Sequence, residues 1–135
     1  ANCVFVSPCL DGFVLVIGLP RFPEQGLAGA FRQVQAFATH RVTEYHAWAR
    51  WDSGTLERMY VYDGSRGVVT VQTGELTAQE IALGFGRFPQ KGREDRCEAN
   101  PTEEDVLDLA AAWGVDPRME AAAYPPSAGW ICTVR

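Results

Sequence analysis

Glu44 and His46 stand two residues apart within Thr43 to Gly64, TEYHAWARWDSGTLERMYVYDG. On a strand that spacing puts a carboxylate and an imidazole on one face, a pair suited to acid–base chemistry or to two of a metal's ligands. Two ligands do not make a metal centre. His40 is the other histidine, and Cys3, Cys9, Cys97 and Cys132 show neither a CxxC nor paired histidine spacing, so no zinc is expected. A cysteine–histidine nucleophile built on Cys9 or Cys97 would need a tertiary contact that spacing alone does not supply. Gly84-Phe85-Gly86 lacks the third glycine and the preceding strand of a dinucleotide loop, and there is no GxxxxGK phosphate loop. Pro89 to Arg93, PQKGR, is a small basic loop of the kind that is more often solvated than phosphate-binding. No cofactor is expected.

The same stretch carries binding chemistry. Asp52-Ser53-Gly54 suits a three-residue hairpin loop, which would set Trp51 near Thr55 and pair Arg50 with Leu56, Trp48 with Arg58 and His46 with Tyr60. Alternation then gives one face Glu44, His46, Trp48, Arg50, Leu56, Arg58, Tyr60 and Tyr62. The other face reads Tyr45, Ala47, Ala49, Trp51, Glu57, Met59, Val61 and Asp63, small and apolar in its middle, as a sheet under a helix would be. Trp, Tyr and Arg dominate binding hot spots, which makes the first face a candidate partner surface. Cross-strand aromatic and charged pairs also stabilise a sheet by about 0.2–1 kcal/mol each, so such a face serves equally as solvated sheet or as a second core under a covering loop.

Charge narrows the partner. The chain has 135 residues, 47% hydrophobic and 21% charged, with a net charge of −5. Nine acids lie between Glu94 and Glu120, against Arg96 and Arg118. That imbalance argues against nucleic acid, whose phosphates need a basic footprint, and suits a basic protein partner. Glu103, Glu104 and Asp108 are the acids expected to supply complementarity, or else to form a solvated helix face. No apolar run approaches the roughly 20 residues that span a bilayer, and no signal peptide is visible. A cytoplasmic protein with four free, buried thiols is expected.

Several elements must position these residues. Cys3 to Ser7 and Phe13 to Gly18 are β-branched runs separated by Pro8 and Asp11-Gly12, and read as strands. Pro20 and Pro23 break the chain after the second strand, and Leu27, Ala30, Phe31 and Val34 recur at helical spacing. Gln35 to His40 and Val68 to Thr73 read as strands on either side of the hairpin, making a meander. Thr77-Ala78-Gln79-Glu80 is a capping box for a short helix ending near Gly84, and 85–101 is an irregular excursion. Thr102 caps TEEDVLDLAAAW, with Val106, Leu109, Ala110 and Trp113 as its buried stripe and Gly114 as its stop. Asp116-Pro117 suggests a turn into a final short helix, and Gly129 to Arg135 a last strand. The expectation is a single α+β domain over residues 1–135, a mostly antiparallel meander with about three short helices on one face.

EYHAWARWDSGTLERMYVYDG, GELTAQEIALGF and PTEEDVLDLAAAWGVDP, in that order, resemble a family of small, mostly uncharacterised bacterial proteins. The likeness spans about Gln35 to Pro117, and Gly114 stands where members carry serine, a tolerable difference at a helix end. Small acidic bacterial proteins of this kind are often immunity partners of polymorphic or secretion-system toxins. By that analogy the resemblance implies a non-enzymatic module that covers a toxin's active site. Trp48, Arg50, Arg58, Tyr60 and Tyr62 would be its anchors, and the variable 85–101 excursion could be partner-specific. The alternative is a small hydrolase-type enzyme, for example one reversing a toxin's modification, with His46 and Glu44 in its site.

Overall fold

A computed structural model describes residues 2–18, 25–120, 124–125 and 127–134. It contains β1 (Asn2–Leu10), β2 (Phe13–Ile17), α1 (Gln25–Ala28), β3 (Gln33–His40), β4 (Tyr45–Asp52) and β5 (Thr55–Asp63). β6 (Val68–Thr73), α2 (Ala78–Ala82), α3 (Glu103–Trp113) and β7 (Trp130–Val134) complete it. Two single 3-10 turns, Phe85–Arg87 and Glu94–Arg96, lie inside the excursion between α2 and α3. The strands make two antiparallel sheets, β2-β1-β7 and the meander β3-β4-β5-β6, so the fold is α+β.

The β4–β5 turn differs in detail from its expectation. Ser53 and Gly54 both have positive φ and Asp52 faces Thr55, which makes a two-residue type I′ loop instead of a three-residue one. An extra residue on β5, between the pairs Arg50–Arg58 and Trp51–Leu56, forms a bulge. Trp48 therefore faces Tyr60, and His46 faces Tyr62. Below the bulge the face assignment holds, whereas Leu56 crosses to the side of Trp51 and Ala49.

Both faces of the meander are covered. α2, α3 and the Phe85–Phe88 segment pack over Trp48, Tyr60, Tyr62 and Val69, with Val106, Leu109 and Trp113 of α3 in the same core. On the other side Ala28 of α1 joins Ala49, Trp51, Val34, Ala36, Leu56 and Met59. The face expected outward is thus the one beneath the longer helices. The helix expected over Leu27 to Val34 is reduced to the single turn of α1, because Val34 is drawn into β3 opposite Trp51 and Phe31 is left exposed. Asp116 to Glu120 form a turn with no helix, and positions 121–123, where a final helix would continue, lie outside the described residues. So do Pro20, Pro23 and Arg135.

Both capping boxes form, Thr77 with Glu80 and Thr102 with Asp105, and Gly114 ends α3. The small sheet meets the rest of the fold where the Phe13 ring lies against Gly114; a Cβ there would stand 3.2 Å from Phe13 Cζ. Tyr124 adds a hydroxyl bond of 2.9 Å to Asp11. The expected burial of the thiols fails here: Cys3, Cys9 and Cys132 are free and exposed on the small sheet, and Cys97 is half-buried. Among the described residues their sheet has no covering layer comparable to that over the meander. Among the described residues no helix is long and apolar enough to cross a membrane.

Candidate functional site

The aromatic face of the hairpin is brought together as expected, but inside the protein. Trp48 is 1% exposed and stacks on Tyr60 with ring centroids 4.5 Å apart and planes 19° apart. Phe85 and Phe88 close over Trp48 at 5.3 and 6.4 Å. The excursion read as irregular is therefore an ordered cover, held on the sheet by the Tyr60 hydroxyl, which donates to the Pro89 carbonyl at 2.8 Å. Burial pushes the Tyr60 phenol well above its ordinary value, and the neighbouring Tyr62 adds to the rise.

The polar members of the face are buried because each finds a partner. Arg58 is 2% exposed and Glu80 is 0% exposed. The Arg58 guanidinium reaches the Glu80 carboxylate through Nε at 3.0 Å and NH2 at 2.9 Å, and donates to the Thr73 and Gly74 carbonyls through NH1. Glu80 also accepts the Trp48 indole N–H and the Thr77 backbone N–H, both at 2.8 Å. One carboxylate thus closes a capping box, neutralises a buried guanidinium and satisfies an indole. Arg50 sits directly opposite Arg58, a repulsive pairing offset by Glu80 on one side and by Glu57, 3.1 Å from Arg50 Nε, on the other. That Glu57 contact is poorly aimed, since Arg50 Nε makes no hydrogen bond.

His46, 1% exposed, lies between two oxygens. Thr39 Oγ1 is 2.9 Å from its Nδ1 and Glu44 Oε2 is 3.2 Å from its Nε2. With the proton on Nε2, the ring donates to Glu44 and accepts the Thr39 hydroxyl, a hydroxyl–imidazole–carboxylate chain in the order that nucleophilic hydrolases use. The Glu44–His46 pair was evident from spacing; Thr39 enters only through the β3–β4 register, which sets it opposite His46. A shallow open groove of about 440 Å³ lies elsewhere, lined by Leu76, Ile81, Gly84, Gly86, Arg87 and Glu98. Among the described residues no three of His, Cys, Asp or Glu converge to hold a metal ion.

The acids of α3 are on the surface, as expected, and largely paired within the chain. Glu103 meets Arg41 at 2.6 Å and Asp105 meets Arg87 at 2.8 Å. Arg118 alone gathers Glu104, Asp108 and Asp116 within 2.9 Å. Hydrogen bonding from Arg118 holds Asp116 below the usual carboxylate range, and Arg41 does the same for Glu103. Five carboxylates against three guanidinium groups leave this ridge acidic, with the Glu104 side chain 71% exposed.

His46, Trp48, Arg58, Tyr60 and Tyr62 are therefore not available to a partner on this surface, a correction to their expected role as contacts. The cause is the cover supplied by 76–113, whose arrival over the sheet no local pattern in the hairpin signals. Glu44 and Glu104 stay exposed, Asp108, Glu103 and Arg50 partly so. No protein-family model matches this sequence, and no curated protein or solved structure is significantly similar to it.

Proposed function

We propose that the chain is a non-enzymatic protein-binding module and, by the motif resemblance, an immunity protein that neutralises a bacterial toxin domain in the cytoplasm by covering its active site. The observation that supports this reading is the acidic ridge of α3, where Glu104 and Asp108 share Arg118 with Asp116 of the following turn and the Glu104 side chain is 71% exposed. An excess of carboxylate on one helix face attracts a basic surface, speeds its encounter and sets its register. Toxin domains that use basic residues at their active-site mouth present that charge. Glu44, Glu103, Glu104 and Asp108 are the contacts proposed, and the buried aromatic core keeps α3 rigid behind them.

The test is titration against a toxin domain, the candidates being whatever toxin genes a survey of the genomic neighbourhood finds. Neutralisation should be complete at an equimolar ratio and should weaken when Glu104→Lys and Asp108→Lys are combined. Equal neutralisation by that double variant would move the interface elsewhere. The Thr39–His46–Glu44 chain favours a second reading, a small hydrolase-type enzyme. Turnover of a modified protein by the isolated chain, lost in His46→Ala, would select it.

A further inference from the structure

The three-stranded sheet carries Phe5, Val14, Val16, Ile17, Trp130 and Ile131, all exposed large hydrophobic residues. Its register sets Ile17, Phe5 and Ile131 in one row across β2, β1 and β7. These residues are 50%, 40% and 78% exposed. The next row, on the opposite face, is Val16, Val6 and Trp130, and Trp130 is 61% exposed. Apolar rows on both faces are the composition of a sheet covered on both sides, and contiguous exposed apolar surface is where interaction sites are found. Among residues 2–18 and 127–134, Asp11 in the β1–β2 turn is the sole charge. The edge strands β2 and β7 carry neither the lysine nor the proline that blunts a free edge.

We infer that a second copy of this chain covers the Phe5 face, the two small sheets stacking about 10 Å apart. Charge selects that occupant. A charged partner would lose hydration on this face and gain no counter-charge, whereas a second copy brings an equally uncharged face. Symmetry agrees. A two-fold axis parallel to β1 sets Phe5 upon Phe5 and Ile17 of each copy upon Ile131 of the other, a self-complementary isologous contact. Area sets the strength. Phe5, Ile17 and Ile131, with Cys3 and Thr133 beside them on the same face, offer only a few hundred Å² per copy, below the roughly 800 Å² of a standard stable interface. The dimer is therefore weak and reversible, with a micromolar dissociation constant. It uses a surface distinct from the α3 ridge and stands or falls independently of the proposed toxin partner.

Sedimentation of the full chain in reductant, up to about 200 µM, tests this against the micromolar range. A monomer–dimer equilibrium is expected. Ile131→Glu, at an exposed edge position, should raise the dissociation constant at least ~30-fold, and Trp130→Glu on the opposite face should leave it unchanged. Alkylation gives a second readout. Cys3 on the Phe5 face should react more slowly as protein concentration rises, while Cys9 and Cys132 on the opposite face react at constant rates. A monomer across the whole range overturns the proposal, as does a dimer lost in Trp130→Glu and kept in Ile131→Glu. Flotation of a monomer with phosphatidylcholine vesicles, abolished by Ile131→Glu, would overturn it in favour of a lipid surface.

Discussion

Glutamine at position 80 would keep the shape of the residue on which the meander and its cover both depend, and remove its charge. Glu80 is wholly buried and receives Arg58 through Nε and NH2, the Trp48 indole and the Thr77 amide. In Glu80→Gln the single amide oxygen can replace only one carboxylate oxygen. It keeps either the Trp48 bond made at Oε1 or the Thr77 bond made at Oε2, while the amide NH2 faces the other donor. Arg58 keeps a buried positive charge with no counter-charge, only the Thr73 and Gly74 carbonyls. Removing one partner of a buried ion pair costs about 3–5 kcal/mol. Against a total stability of about 5–15 kcal/mol, that is at least about a fifth of the fold's stability. Chemical unfolding followed by tryptophan fluorescence should report a loss of that size, and Tm should drop by roughly 10–20 °C. Adding Arg58→Met removes the stranded charge and retains its volume, so the double variant should recover at least half of the loss. A Glu80→Gln cost under about 1 kcal/mol would place the pair in contact with water and refute the buried network.

Further predictions address backbone, protons and thiols. Gly74 has φ +77° and a Cβ there would stand 2.0 Å from the Glu57 carbonyl oxygen, so Gly74→Ala should destabilise by more than about 2 kcal/mol in equilibrium unfolding. Asp116 has a depressed folded-state pKa, so its pairing with Arg118 stabilises above the ordinary carboxylate range and is lost as pH falls through it; the Tm gap between wild type and Arg118→Ala should be full at about pH 7 and close towards about pH 2. Tyr60 has a raised value, so its contribution is complete below the ordinary phenol value of about 10 and is lost at higher pH; Tyr60→Phe should flatten the alkaline fall in Tm. Under native conditions Cys3, Cys9 and Cys132 should react with a thiol reagent ahead of Cys97, and reductant should leave Tm unchanged, since all four are free.

Local chemistry made much of the fold readable. The two capping boxes, the α3 stripe and its glycine stop are short-range signals, each complete within one turn or one helix. The alternation in β4 and β5 likewise fixes which side chains share a face. It says nothing of which face is covered, because that depends on residues 76–113 folding back over the sheet. Arg58 reads as a surface residue until Glu80 arrives from 22 positions away, and Tyr60 until the Pro89 carbonyl meets its hydroxyl. The loop closing β4 on β5 misled by one residue. A three-residue loop and a two-residue loop followed by a bulge leave the same face assignment below the bulge and different cross-strand partners. The exposed thiols had no signal at all, since β1 and β7 have the composition of buried strands.

Association kinetics with the proposed toxin partner at several salt concentrations tests most directly the claim that α3 meets a basic partner. Combining Glu104→Lys with Asp108→Lys should slow association by about tenfold or more at low salt, flatten its salt dependence and leave dissociation nearly unchanged. The buried substitution Trp48→Phe should leave both rates as in the wild type once the protein is folded. An association rate indifferent to the two lysines and to salt would contradict the proposed interface.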